Sequence, residues 1–165
     1  MSFTRSRTRW LATAAAILSL AACSDKETGN GGLPTNAGSG LYPQISVSGS
    51  RSSVKAELAL RQIPGGLTFA SYQGEVVFDP AVLTLESATL PDGVDGVANL
   101  VSPGHIRFAA TALDGTVGAP LLRMTFAASG DVKREQFSVS FEEVTDGEFT
   151  DLTGQVQSGY LIFQR

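Results

Sequence analysis

Hydrophobic and polar residues alternate along much of the chain with a period of two, the pattern of strands that bury one face and solvate the other. The clearest run is Val54-Lys55-Ala56-Glu57-Leu58-Ala59-Leu60-Arg61, where Val54, Ala56, Leu58 and Leu60 share one face and Lys55, Glu57 and Arg61 the other. It stops at Ile63-Pro64-Gly65-Gly66, because proline removes a ladder donor and glycine permits positive φ. Over residues 70–78, Tyr72, Val76 and Phe78 alternate with Ser71, Gln73 and Glu75. Gly74 interrupts the inward set, which predicts a bulge or a close backbone approach. Asp79-Pro80 closes that strand, and Leu83-Thr84-Leu85-Glu86 opens the next.

The pattern continues to the end of the chain. Short strands are expected near 97–101 and 106–110, separated by the turn Ser102-Pro103-Gly104. Leu122, Met124 and Phe126 then alternate with Arg123 and Thr125; Phe137, Val139 and Phe141 alternate with Ser138, Ser140 and Glu142; a last strand covers about 160–163. Eight or nine short strands without a helical period predict an all-β fold, a two-sheet antiparallel β-sandwich whose inward residues form one core. Composition agrees: 42% of residues are hydrophobic, and 18 Gly and 7 Pro supply turns. A length of 165 residues leaves room for one domain and little more.

Residues 1–22 follow a different pattern. Arg5, Arg7 and Arg9 precede an apolar run over 11–22, the layout of an export signal, and the run is shorter than the about 20 residues that span a bilayer. It ends in Leu20-Ala21-Ala22-Cys23, which resembles the lipobox of bacterial lipoproteins. That resemblance implies cleavage before Cys23, acylation of its thiol and anchoring of the chain in a lipid bilayer. Several acyl chains hold firmly, because each buried methylene contributes about 0.8 kcal/mol. Cys23 is the single cysteine, so no disulfide forms within the chain. Ser24 stands where enteric lipoproteins retained in the inner membrane carry Asp, which favours the outer membrane, with the domain outside the cytoplasm.

Residues 24–40, SDKETGNGGLPTNAGSG, have no apolar period and read as a flexible spacer, with an r.m.s. reach on the order of 20 to 25 Å. The expected organisation is a signal peptide over 1–22, a lipidated N-terminus and tether over 23–40, and a sandwich over 41–165. Without the first 22 residues the chain keeps 9 basic against 16 acidic side chains, a net charge of −7. Such a balance argues against nucleic acid, which needs a basic stripe to release counterions, and supplies no polybasic patch for anionic lipid.

Candidate chemistry is sparse. There is one histidine, His105, and no thiol besides Cys23, so no catalytic or metal-binding set is expected and no cofactor either. His105 reads as an exposed structural residue at a strand start. Glu142 and Glu143 are adjacent, so strict alternation sends them to opposite faces and rules out an acid/base pair. Asp92, Asp95, Asp146, Glu148 and Asp151 fall in Gly-containing turns that could gather oxygen ligands around calcium. Their spacing matches no complete EF-hand loop, and acidic residues in turns serve first as turn formers.

Specific stretches between residues 42 and 164 resemble the cohesin domain. The most recognisable is Phe78-Asp79-Pro80-Ala81-Val82-Leu83, an aromatic-Asp-Pro-x-x-Leu strand end in which Asp caps a turn, Pro fixes φ and Leu re-enters the core. Gly104-His105-Ile106-Arg107-Phe108-Ala109, Leu121-Leu122-Arg123-Met124-Thr125-Phe126 and Phe141-Glu142-Glu143-Val144 follow in the family's order. The resemblance implies a jelly-roll sandwich that acts as a non-catalytic scaffolding module and binds a dockerin-like protein on one sheet face. Aligned on Asp79-Pro80, that partner-binding face falls on Ser71 and Gln73, with Glu75 on the same phase; the family more often carries Asn and Asp there. Related sandwiches are carbohydrate-binding modules, so attachment to or degradation of polysaccharide is the alternative. Sugar stacking needs a row of exposed aromatics. Trp10 leaves with the signal segment, Tyr72 and most Phe lie on inward phases, and Tyr42 and Tyr160 are the exposed candidates.

Overall fold

The computed structural model describes residues 38–63, 66–112, 117, 119–157 and 159–165. Cys23, the expected signal segment and nearly all of the expected tether lie outside the described residues, as do Pro64 and Gly65 of the expected turn. Nine strands follow in order: β1 (Gly40–Ser50), β2 (Ser53–Ile63), β3 (Phe69–Phe78), β4 (Leu83–Thr89), β5 (Asp95–Ser102), β6 (His105–Thr111), β7 (Leu122–Ala128), β8 (Phe137–Asp146) and β9 (Ile162–Gln164). Helical structure among the described residues is confined to two 3-10 turns, Arg134–Gln136 and Thr153–Gln155. The strands form a five-stranded sheet, β4-β7-β2-β1-β9, and a four-stranded sheet, β5-β6-β3-β8. This is the all-β two-sheet sandwich that the alternation predicts.

Pairing is antiparallel except between β1 and β9, which run parallel with Gln44 opposite Ile162. Strand β1 departs from strict alternation: Gly40, Leu41, Tyr42 and Pro43 are all buried. The later segment accounts for this by covering the outer side, where the Gln157 amide donates to the Leu41 carbonyl and the Tyr160 ring meets Tyr42 edge-on at 6.2 Å. Burial of Tyr42 also corrects the expectation that it is exposed; its hydroxyl donates to the Gly38 carbonyl at 3.0 Å.

Aromatic rings join the two layers. Phe126 of β7 lies edge-on to Phe78 of β3 at 5.0 Å and to Phe137 of β8 at 6.0 Å, and Phe108 of β6 packs against Tyr72 and Phe141. Edge-to-face pairs of this kind contribute about 0.5–1.5 kcal/mol beyond the area they bury. The Tyr72 hydroxyl crosses the sandwich to donate to the Leu121 carbonyl at 2.8 Å, and burial pushes its phenol pKa upward.

At the Asp79-Pro80 corner the predicted roles are met. The Asp79 carboxylate accepts the Ala81 amide, its carbonyl accepts the Val82 and Leu83 amides, and Leu83 returns to the core. Gly104 adopts φ +80° opposite this corner, and a Cβ there would stand 2.6 Å from the Phe78 carbonyl oxygen.

Gly74 is the close approach that its place in the alternation predicts. A Cβ on it would lie 2.3 Å from the Ser140 carbonyl oxygen and 3.0 Å from the Phe108 ring. Gly74→Ala should therefore destabilise the domain by about 1–3 kcal/mol, as overpacking does. Gly154→Ala, in open space, should stay within about 0.5 kcal/mol of the parent. Urea unfolding midpoints distinguish the two.

Candidate binding face

The outer face of the four-stranded sheet collects the residues that alternation turns away from the core. On β3, Tyr72, Gly74 and Val76 point inward, so Ser71, Gln73 and Glu75 stand together on the outside. Strand β6 pairs with β3 through Glu75 opposite Arg107 and Val77 opposite His105, which sets a basic strand beside them. Strand β8 flanks the other side. All three expected residues thus share one surface, and each is held by a neighbour.

Two carboxylates lace three strands. Glu75 lies 2.7 Å from His105 Nε2 on β6 and accepts the Ser140 hydroxyl of β8 at 3.1 Å. Glu142 of β8 accepts Arg107 Nη2 at 2.6 and 2.8 Å through its two oxygens, and also accepts the Gln73 amide. At the end of the face, the Ser71 amide donates to Thr145 Oγ1 at 3.0 Å, and the Ser71 hydroxyl donates to Glu143 at 3.3 Å. His105, expected as an exposed structural residue, is only partly exposed and belongs to this network.

Glu142 and Glu143 correct the expectation of opposite faces. The β3–β8 register shifts between Gln73 and Gly74, with Gln73 opposite Glu143 but Gly74 opposite Phe141. Glu142 is the extra residue of a β-bulge, which resets the phase so that both carboxylates emerge outward while Phe141 and Val144 stay buried. The face therefore holds three carboxylates, Glu75, Glu142 and Glu143, against Arg107 and His105. Among the described residues Glu143 receives a hydroxyl but no cation.

Half-exposed Val77 and Val97 add apolar surface to the same sheet. Alternation marks Arg107 as outward on β6, but its partner Glu142 depends on a pairing register and a bulge that involve distant segments. Tyr42 is buried, so it forms no sugar-stacking pair with the exposed Tyr160. In the acidic turns, the Asp146 carboxylate accepts the Glu148 and Thr150 amides and Asp151 accepts the Thr153 amide. No three His, Cys, Asp or Glu side chains gather into a metal site among the described residues.

Solved structures with the same layout exist. The sixth cohesin of scaffoldin B from Acetivibrio cellulolyticus, determined in complex with a mutant Cel5 dockerin, superposes with a TM-score of 0.52 at 16% identity, covering 76% of this chain and 99% of that one. A non-cellulosomal cohesin from the archaeon Archaeoglobus fulgidus gives 0.54 at 11% identity, covering 77% and 90%. The chain has the cohesin fold. No protein-family model matches it, and no curated protein does either. Within this cohesin fold, the Asp79-Pro80 corner ends the strand that carries Ser71, Gln73 and Glu75.

The hydrogen bond from His105, with smaller contributions from Ser140 and the Arg107 charge, holds the Glu75 carboxyl below its usual pKa. A carboxyl lowered on folding adds stability that is complete above its unfolded value and is lost as pH falls through the folded one. Below about pH 4.3, the ordinary Glu value, the parent should lose this contribution. Glu75→Gln should be less stable than the parent at neutral pH and should show a shallower acid limb in a plot of Tm against pH.

Proposed function

We propose that the protein is a non-catalytic binding module whose Ser71, Gln73 and Glu75 face docks a protein of dockerin type. In this reading acyl chains on Cys23 hold it at the outside of a bacterial envelope, with the outer membrane favoured. The observation that carries the reading is the lacing of polar side chains across β6, β3 and β8 on a cohesin fold. Side chains held in place before binding lose little rotamer entropy on docking, so a polar face of this kind favours specificity. Glu143, which among the described residues has a hydroxyl partner and no cation, is the position at which a Lys or Arg of the partner gains most. Residues 24–40 then act as a tether that lets the face turn toward its partner.

Anchor and face are tested in one experiment. The parent should incorporate labelled palmitate, and Cys23→Ser should not. Purified partner captured from the envelope fraction should bind Glu143→Lys and Gln73→Ala at least about 10-fold more weakly, roughly 1.4 kcal/mol. Lys55→Ala, on the exposed side of the other sheet, should leave Kd unchanged. Equal affinity for the parent and the Glu143→Lys and Gln73→Ala variants would remove the face from the account.

A further inference from the structure

The two sheets present four edge strands, β4 and β9 in one and β5 and β8 in the other. Exposed edges invite pairing, and proteins usually blunt them with charge, proline, bulges, covering segments or short length. Strand β9 is three residues long, and β8 carries Glu142 and Glu143 and is bridged by Asp151 at Thr145. On β4, Glu86 and a register shift between Leu85 and Ser87 interrupt the edge. Strand β5 differs: from Gly96 to Ser102 it has no charge and no proline. Six large hydrophobic residues are exposed among the described residues, and three of them lie on this one strand, Val97 at 56%, Leu100 at 50% and Val101 at 52%. Its one register shift, between Leu100 and Ser102, leaves Val101 as the extra residue at the end of the run, so the regular ladder covers Asp95 to Leu100.

We propose that β5 pairs edge to edge with β5 of a second copy, antiparallel and centred on Asn99. The run Val97-Ala98-Asn99-Leu100-Val101 has the same apolar-apolar-polar-apolar-apolar pattern read from either end. A two-fold contact needs such self-complementarity, because each residue meets its mirror position. In this register Asn99 stands opposite its own counterpart and Ala98 opposite Leu100 of the second copy, with Val97 facing the bulged Val101. Charge selects the same edge. The chain is acidic, with 16 Asp+Glu against 12 Lys+Arg, so two copies meet with least repulsion where the edge is neutral.

Each copy has one such edge, so the assembly closes at two. Antiparallel pairing places the two-fold normal to the sheet, giving an eight-stranded sheet with both outer faces on one side. The pairing itself does not depend on what those faces bind.

The test uses the full chain carrying Cys23→Ser, in mild detergent so that the apolar run 11–22 does not itself associate. Opposed Cα atoms in an antiparallel pair lie about 4.5–5.5 Å apart, within the about 4.4–6.8 Å that a disulfide spans. Adding Asn99→Cys should therefore give a disulfide-linked dimer on mild oxidation, whereas Glu86→Cys on the β4 edge should stay monomeric. Sedimentation equilibrium should report a dimer for the Cys23→Ser chain and a monomer for Val97→Lys, with the thermal unfolding of Val97→Lys confirming an intact fold. A monomer at the highest soluble concentration, a dimer that survives Val97→Lys, or Asn99→Cys linking no faster than Glu86→Cys would overturn the proposal.

Discussion

The outer face of the four-stranded sheet depends on a missing side chain. Strand β8 passes so close to Gly74 that a Cβ there would meet the Ser140 carbonyl oxygen at 2.3 Å. The close passage lets Phe141 settle edge-on to Phe108 at 5.6 Å in the core. Just beyond it the strand takes in one extra residue, and the phase of β8 changes. Glu142 and Glu143 then both emerge on the solvent side. From there Glu142 reaches Gln73 and Arg107, and Glu143 reaches Ser71. A backbone contact inside the sandwich thus sets the arrangement of charge outside it.

The core and the polar outer face are held by different groups. The core is built from Phe, Leu, Val and Ile packed between the sheets, with no buried charged group among the described residues. The ion pairs on the outer face are partly or largely exposed, and such pairs contribute about 0–1 kcal/mol each. Their effect is chiefly geometric. Glu75 spans from His105 to Ser140 and Glu142 from Arg107 to Gln73, so four side chains of β3, β6 and β8 are fixed by two carboxylates.

Local periodicity made most strands legible in the sequence. Val54, Ala56, Leu58 and Leu60 are buried as their alternation requires, and Ser71, Gln73 and Glu75 share the outer face because they share a phase. Strand β1 was hidden because its first four residues are buried together beneath a segment more than a hundred residues later. The same covering removed Tyr42 from the surface. Alternation does not place Glu142 and Glu143 on one face, because a bulge breaks the period, and that bulge reflects the approach to Gly74 on another strand. Gly74 itself stood out as a break in the inward set, but only the pairing of β3 with β8 reveals which residues benefit. The exposed edge of β5 likewise depends on sheet order, which periodicity does not encode.

The β8 bulge turns both glutamates outward beside Ser71, Gln73 and Glu75. Thiol reactivity tests it most directly. In the Cys23→Ser background, Glu142→Cys and Glu143→Cys each provide a single cysteine whose rate of reaction with a maleimide reports its side of the sheet. The bulge predicts that both react at rates within about 10-fold of each other, as two exposed thiols do. One thiol reacting freely while its neighbour is protected like a core residue would contradict it, since that is the result of strict alternation.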